Sequence, residues 1–284
     1  MLEFTTIPAL RGWVFEQRTA GRRIGFVPTM GFLHQGHLRL VDEARRRTDA
    51  VAMSVFVNPL QFGPGEDLDR YPRDLPRDRA LAAGRRVDAL FVPEAAAIYP
   101  PGAEVLVVPG ATADRWEGAV RPGHFTGVLT VVAKLFHLVA PDVACFGQKD
   151  IQQATLVRKM VRDLDWPVEI VVVPTVREPD GLALSSRNAY LGLEDRQQAV
   201  GLSAALRAGH DAWTAGERDA SAIEAAMRAR LAMFPGVRPE YISLVEPEAL
   251  HPVAEALPGT IAMIAARVGS TRLIDNIILG QGLV

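Results

Sequence analysis

Cysteine is nearly absent: Cys145 is the only one in the chain. That excludes an intrachain disulfide and a cysteine-based zinc cluster, and it fits a reducing, cytoplasmic compartment. Long apolar runs are missing too. A helix needs about 18–20 apolar residues to cross a bilayer, and the longest candidate, residues 127–140, is interrupted by Lys134 and His137. The opening MLEFTTIPALRGW has no basic stretch followed by an apolar one, so no secretory leader is expected. Nor is one sign of charge in excess: 31 Lys and Arg stand against 33 Asp and Glu, a formal net charge of −2. This balance speaks against a membrane surface or a nucleic acid as partner, while leaving room for a local basic pocket.

What is present is globular material. The chain has 284 residues, 49% hydrophobic and 23% charged, enough for a sizeable core in one large or two ordinary domains. Up to about residue 175, short apolar runs alternate with helical patterns. Strands are expected at 24–27, 50–57, 89–92, 143–146 and 168–173, and helices at 38–47, 74–86, 125–139 and 151–164. The run AVAMSVFV at 50–57 is almost continuously apolar, as expected for a strand covered on both faces. In the 125–139 helix Val128, Val131, Val132, Leu135, Phe136 and Val139 share one face. Strands separated by helices of this length predict βαβ units and an α/β fold, a Rossmann-like doubly wound parallel sheet. Beyond it the order changes: helical stretches at 194–215 and 219–233 precede strands at 241–245, 261–268 and 271–279, which predicts a smaller α+β domain. The expected domains are 1–175 and 176–284. The arginines at 45–47 fit the end of a helix, where cations meet the dipole and face water.

Chemistry collects where strands end. The first segment is Met30, Gly31, Phe32, Leu33, His34, Gln35, Gly36 and His37, after the first expected strand and before a helix. In a doubly wound sheet, ligands bind beyond the carboxyl ends of the strands. A turn there is expected to point free backbone N–H groups at an anion, with the helix dipole adding a favourable field. His34 and His37 are three apart and share a helix face; Gly36 between them leaves space where a nucleotide could lie. The pair could also be a metal site or two ordinary loop histidines, but no Cys, Asp or Glu stands nearby, and phosphate binding is the better reading. A second segment, Gly147, Gln148, Lys149 and Asp150, again joins strand to helix. Lys149 supplies a compact cation for phosphate oxygens, Asp150 an acceptor for a hydroxyl, and Gln153 lies one turn along. A third, around Leu184, Ser185, Ser186 and Arg187, offers hydroxyl donors and a planar charged fork. Asn58 and Gln61 follow the 50–57 strand as neutral hydroxyl or carboxylate binders, and Arg121 and His124 precede the 125–139 helix. Ordinary helix capping explains any one of these groups, but explains poorly why they gather at several strand ends.

Together the segments PTMGFLHQGH at 28–37, FVNPLQFGPGEDLDRYPRD at 56–74, RPGHFTGVLTVVAKLF at 121–136, FGQKDIQQ at 146–153, PTVREPDGLALSSRN at 174–188 and TRLIDNI at 271–277 resemble the pantothenate synthetase (pantoate–β-alanine ligase) family, in the family's order and over nearly the whole chain. The resemblance implies an ATP-dependent ligase, with Mg²⁺, that joins pantoate to β-alanine through a pantoyl adenylate and releases pyrophosphate and then AMP. It implies a Rossmann-like first domain, a smaller second one and a homodimer. It assigns Met30 to His37 and Gly147 to Asp150 to ATP, His37 to proton donation, Val176 to a main-chain contact with adenine, and Leu184 to Arg187 to a flexible loop on the phosphate side. It assigns Gln61 to both pantoate and β-alanine, and Gln153 to pantoate. His37, His34 and Lys149 are the expected catalytic groups.

Two positions depart from the family pattern. Gln148 stands where Glu is common, and Arg77-Asp78 stands where two acidic residues are common. Arg77 speaks against a carboxylate contact to Mg²⁺ there, so the protein ligands of the metal are left unassigned. The nearest rivals are another H-x-G-H transferase that keeps the nucleotide in its product, and a nucleotide sensor with a decayed site. Intact His34, His37, Lys149 and Arg187 argue against the second.

Overall fold

The computed structural model describes residues 1–283. The chain divides into two compact units, residues 1–147 with 152–173, and residues 148–151 with those from 174 onward. The short segment 148–151, expected in the first domain, therefore groups with the second unit.

The first unit is built on a six-stranded sheet in the order β1-β4-β3-β2-β5-β6. Its strands are β1 (Leu2–Phe4), β2 (Ile24–Thr29), β3 (Ala50–Val55), β4 (Ala89–Phe91), β5 (Val143–Gly147) and β6 (Glu169–Val173). Every pairing is parallel. Side chains alternate between the faces of a strand, and here both faces are buried. Ile24, Phe26, Ala52, Phe91 and Phe146 pack with Leu10, Phe136 and Val157 on one side. Val27, Val51, Met53, Leu90 and Cys145 pack with Val41, Ala44 and Ala82 on the other. Helices thus cover both faces: Ile7–Thr19, His124–Val139 and Ile151–Asp163 on the first, Gln35–Arg47 and Leu75–Gly84 on the second. This is the doubly wound parallel sheet expected from the alternation of elements.

Strand β1 and helix Ile7–Thr19 have no counterpart among the expected elements. The strand is short and half-exposed, too brief for a periodic signal, whereas the helix carries Leu10, Trp13, Val14 and Gln17 on one buried face. Helix Gln35–Arg47 starts before the expected residue 38, because its N-cap is His34 rather than the usual Ser, Thr, Asp or Asn.

The second unit holds a three-stranded antiparallel sheet in the order β7-β8-β9, formed by β7 (Val237–Val245), β8 (Ile261–Val268) and β9 (Thr271–Ile278). Helices Gly201–Thr214 and Ala220–Leu231 supply Leu206, Ile223 and Met227 to a core with Ile264 and Ile277. The single helix expected at 194–215 is two, Leu193–Ala199 and Gly201–Thr214. At the break, a Cβ on Gly201 would lie 2.7 Å from the Phe234 ring, so a larger residue would push these elements apart. β7 begins before the expected residue 241, with a register shift between Pro239 and Tyr241; a proline without an N–H hides such a strand from sequence patterning. No helix among the described residues is long and apolar enough to cross a membrane.

One ion pair in this unit is nearly dry. Arg177 donates from Nη1 to Asp275 Oδ2 at 2.6 Å and from Nη2 to Asp275 Oδ1 at 2.9 Å, with side-chain exposures of 9% and 2%. Breaking such a pair leaves an uncompensated buried charge, at about 3–5 kcal/mol. Asp275→Ala is expected to destabilise the protein on that scale in urea unfolding. Replacing both partners with apolar residues of similar volume should recover most of the loss.

Candidate active site

β2 pairs with β3 on one side and β5 on the other, and chain order reverses between β2 and β5. That is the topological switch point, where a doubly wound sheet leaves a crevice beyond the strand ends. The segments singled out in the sequence leave these strands directly: Met30–His37 follows β2, Asn58 and Gln61 follow β3, and Gln148–Asp150 follows β5.

The turn after β2 is unusual. Gly31 and the non-glycine Phe32 both have positive φ, 84° and 50°, a conformation that costs energy for a bulky residue. A buried carboxylate from another helix holds it. Asp78 is 1% exposed; it accepts from Phe32 N–H at 2.8 Å and from Leu33 N–H at 2.7 Å. A Cβ at Gly31 would lie 2.9 Å from Asp78 Oδ2 and 2.8 Å from Val55 Cγ1, so the glycine is required there. Burial raises the Asp78 carboxyl above the ordinary range, while the two N–H bonds and Arg77 pull it back. Arg77 itself stacks over the Phe32 ring, 5.5 Å from its centroid.

Five of the N–H groups expected to face an anion have partners within the protein. Gly31 donates to Thr29 Oγ1, Phe32 and Leu33 to Asp78, His34 to His37 Nδ1 and Gly36 to His34 Nδ1. Gly36 also has a structural role. Its missing Cβ makes room for the His34 ring, which a Cβ would meet at 2.8 Å. The two histidines form a reciprocal capping box, with ring centroids 4.0 Å apart. Each Nδ1 accepts a main-chain N–H, so in the neutral ring the proton sits on Nε2. Both imidazoles are therefore fixed as Nε2–H donors, and the electropositive groups of this turn are side chains.

After β3, Asn58 orients Gln61. Asn58 Oδ1 accepts from Leu60 N–H at 3.3 Å and from Tyr99 Oη at 2.8 Å, and its Nδ2 donates to the Gly127 carbonyl at 3.1 Å. Main-chain groups thereby set which end of the Asn58 amide is which. Its Nδ2 also donates to Gln61 Oε1 at 3.1 Å, which leaves Gln61 Nε2, 3.0 Å from Met30 Sδ, as the donor end. A Gln61 held this way suits an acceptor such as a carboxylate or an alcohol oxygen.

In the second unit, Asn276 holds the turn Gln148–Asp150. Its Nδ2 donates to the Gln148 and Lys149 carbonyls, each at 2.9 Å, and its Oδ1 accepts from Gln148 Nε2 at 3.2 Å. The turn that carries Lys149 is fixed from β9, a link that no local pattern announces. Lys149 is half-buried and Asp150 exposed. Gln153 is half-buried at the start of its helix, and its neighbour Gln152 is buried. Gln152 serves structure, accepting from Glu117 N–H and donating to the Thr112 and Arg115 carbonyls.

The 176–188 segment is tied down along much of its length. Val176 accepts from Leu184 N–H and Leu182 from Glu178 N–H. Arg196 bridges Glu178 and Asp180, and Asn188 Nδ2 donates to the Ala183 carbonyl. Ser185 Oγ caps the short turn Ser186–Tyr190 by accepting from Arg187 N–H. For a divalent cation, the described residues contain no group of three or more His, Cys, Asp and Glu side chains placed to share an ion. Both Asp78 oxygens already accept main-chain N–H groups and Arg77 is a cation, so this corner does not fit a protein-held Mg²⁺. Magnesium commonly keeps several waters and travels on substrate phosphates.

Removing the Asp78 carboxylate should leave two buried N–H groups without partners at a strained turn. Asp78→Ala is expected to lower stability by about 2–6 kcal/mol, from about 1–3 kcal/mol for each of the two orphaned donors, in chemical unfolding. Arg77→Ala, which removes a ring contact and one favourable charge near Asp78 but orphans no main-chain donor, should cost less than Asp78→Ala.

The profile of the family described as pantoate-beta-alanine ligase matches residues 3–278. Pantothenate synthetase of Moorella thermoacetica is 51% identical over 274 residues, covering 96% of this chain and 97% of the relative. That of Chloroflexus aurantiacus is 54% identical over 269 residues, covering 94% and 96%. Among solved structures, the pantothenate synthetase of Thermus thermophilus superposes with a TM-score of 0.94 at 50% identity, covering 98% of this chain and 99% of the other. The Francisella tularensis pantoate-beta-alanine ligase, solved with beta-gamma ATP and β-alanine, superposes with a TM-score of 0.81 at 32% identity over the full length of both chains. With a sheet whose strand ends carry the family's segments in the family's order, the chain belongs to the pantoate–β-alanine ligase family.

Proposed function

We propose that this enzyme joins pantoate to β-alanine at the expense of Mg-ATP, through a pantoyl-adenylate intermediate. A pantoate carboxylate oxygen attacks the α-phosphorus, and the bond to pyrophosphate breaks with its electron pair. The β-alanine amine then attacks the acyl carbon; the bond to AMP breaks and the amine loses a proton. The carboxylate is a weak nucleophile and repels the triphosphate, so positioning and charge neutralisation carry the rate.

The observation that carries this reading is the pair of main-chain contacts at His34 Nδ1 and His37 Nδ1, from which the tautomer of both rings follows. Both present Nε2–H, the form that donates to phosphate oxygens, and His37 is the proposed proton donor. Met30 to His37 make up the first ATP segment, with the main-chain N–H groups of its turn serving structure. Gly147 to Asp150 form the second, in which Lys149 supplies the cation; Mg²⁺ enters with ATP as part of the substrate. Val176 offers its main chain to adenine, and Leu184 to Arg187 address the phosphates. Gln61, with Nε2 as its donor end beside Met30, takes pantoate and β-alanine, and Gln153 takes pantoate. No enzyme nucleophile is required. Cys145 is buried in β5 and burial pushes its thiol up to about 12, which makes it inert. A lone reduced cysteine supports a cytoplasmic setting.

We propose a homodimer as well. Residues 103–109 run without regular secondary structure, and Val105, Leu106 and Val108 are 89%, 51% and 73% exposed. An apolar strip of this kind is suited to burial against a second copy.

An assay for AMP with pantoate, β-alanine and Mg-ATP, omitting each in turn, is expected to need all three. AMP formed without β-alanine, or nucleotide retained in the product, would favour another H-x-G-H transferase. His37→Ala and Lys149→Ala should each lower pyrophosphate release by about 10²–10³-fold, the scale of one lost transition-state donor. Sedimentation of the Val105→Asp/Val108→Asp double variant should show a monomer; an unchanged mass would reject this surface as the interface.

A further inference from the structure

Gln61 is gripped on a side that the ligand reading does not require. Helix His124–Val139 presses against the turn Pro59–Gln61 so closely that a Cβ on Gly127 would lie 2.2 Å from the Leu60 carbonyl oxygen and 2.7 Å from Gln61 N. At the head of that helix, His124 Nδ1 lies 2.8 Å from the Gln61 carbonyl oxygen, and Arg121 Nη2 donates to the same oxygen at 3.2 Å. Arg121 Nη1 lies 3.0 Å from His124 Nε2. Glu66 accepts from Arg121 Nε at 2.8 Å and from Nη2 at 2.5 Å.

The polarity of this cluster follows from the guanidinium, which only donates. Nε2 of His124 must therefore accept, the proton of the neutral ring lies on Nδ1, and Nδ1–H donates to Gln61. A protonated His124 would set one N–H against another. Burial is the main force that keeps the ring neutral and lowers it to about 4; Arg121 adds to this, while Glu66, Glu117 and the Gln61 carbonyl oppose it. The carbonyl of Gln61 thus receives two donors while its side-chain amide is held by Asn58. A buried histidine and a half-buried arginine–carboxylate pair gathered on one carbonyl are more than a turn needs, and a reasonable arrangement for a residue whose donor must not wander.

We propose that Arg121 and His124 are positioning residues for the ligation, holding Gln61 through its main-chain carbonyl with Glu66 anchoring Arg121. The inference rests on Gln61 as a substrate contact. The lever is geometric: a shift of about 1 Å at a positioned group can cost about 10²-fold in rate. Asn in place of His124 keeps a donor where Nδ1 stood; Ala keeps none.

Steady-state kinetics of folded variants test it. His124→Ala is expected to raise the KM for pantoate and lower kcat, about 10-fold or more in kcat/KM, and to leave the KM for ATP within about 2-fold. His124→Asn should recover most of the loss, and Glu66→Gln should show a smaller loss in the same direction. In ¹⁵N-histidine spectra at neutral pH, the signal absent from His124→Asn should be that of a neutral ring protonated at Nδ1. In a Gln61→Ala background the His124→Ala effect should vanish. If Gln61→Ala impairs pantoate use while His124→Ala and Glu66→Gln do not, the positioning role is overturned and the Gln61 reading stands. If Gln61→Ala has no effect, that reading falls as well. Should His124→Ala fail to fold, His124→Asn and Glu66→Gln decide: an ATP-side loss equal to the pantoate-side loss in Glu66→Gln, or an Nε2-protonated ring, overturns the proposal.

Discussion

A buried main-chain N–H or carbonyl must find a partner, and this requirement shapes every strand-end turn that carries a candidate site residue. The turn after β2 is held by Asp78 and the one after β3 by Asn58. Asn276 holds the turn after β5, and the segment after β6 is pinned through Arg177 to Asp275. Asp78 and Asn276 reach their turns from distant parts of the same unit, whereas Asn58 and Arg177 belong to the segments they hold. The turns are short and irregular, and Gly31-Phe32 is strained, so none would keep its shape without these partners. Chemistry is displayed on loops, but the loops are fixed like core.

This has a consequence for the turn that opens helix Gln35–Arg47. A helix N-terminus normally offers its first N–H groups to a phosphate. Here most of those groups in the turn after β2 are spent within the protein, and the further donors of the turn are the imidazole Nε2–H groups. Side chains can carry protons as well as charge, whereas amide N–H groups only polarise. Gln61 adds a neutral amide whose orientation is set by Asn58, with Nε2 as its donor end.

Much of this was legible in the chain itself. Continuous apolar runs such as 50–57 announce strands covered on both faces, and 3.6-residue periodicity marks the helices between them. Local signals failed where their chemistry was atypical. His34 is not a usual N-cap, so helix Gln35–Arg47 begins earlier than its pattern suggests, and Pro239 conceals the first part of β7. Gly36 has a structural demand that no pattern announces: the neighbouring His34 ring occupies the space a Cβ would take.

The sequence by itself determined the alternation of elements, the parallel sheet and the chain positions of the chemically active segments, because each of these is written in residues a few places apart. Tertiary structure alone decided which hydrogen-bonding groups remain available. Phe32 meets Asp78 across 46 residues, Gln61 meets His124 across 63, and Lys149 meets Asn276 across 127. Periodicity decays over a helical turn or two and holds no record of such pairings, yet they choose the tautomer of a histidine and the facing of an amide.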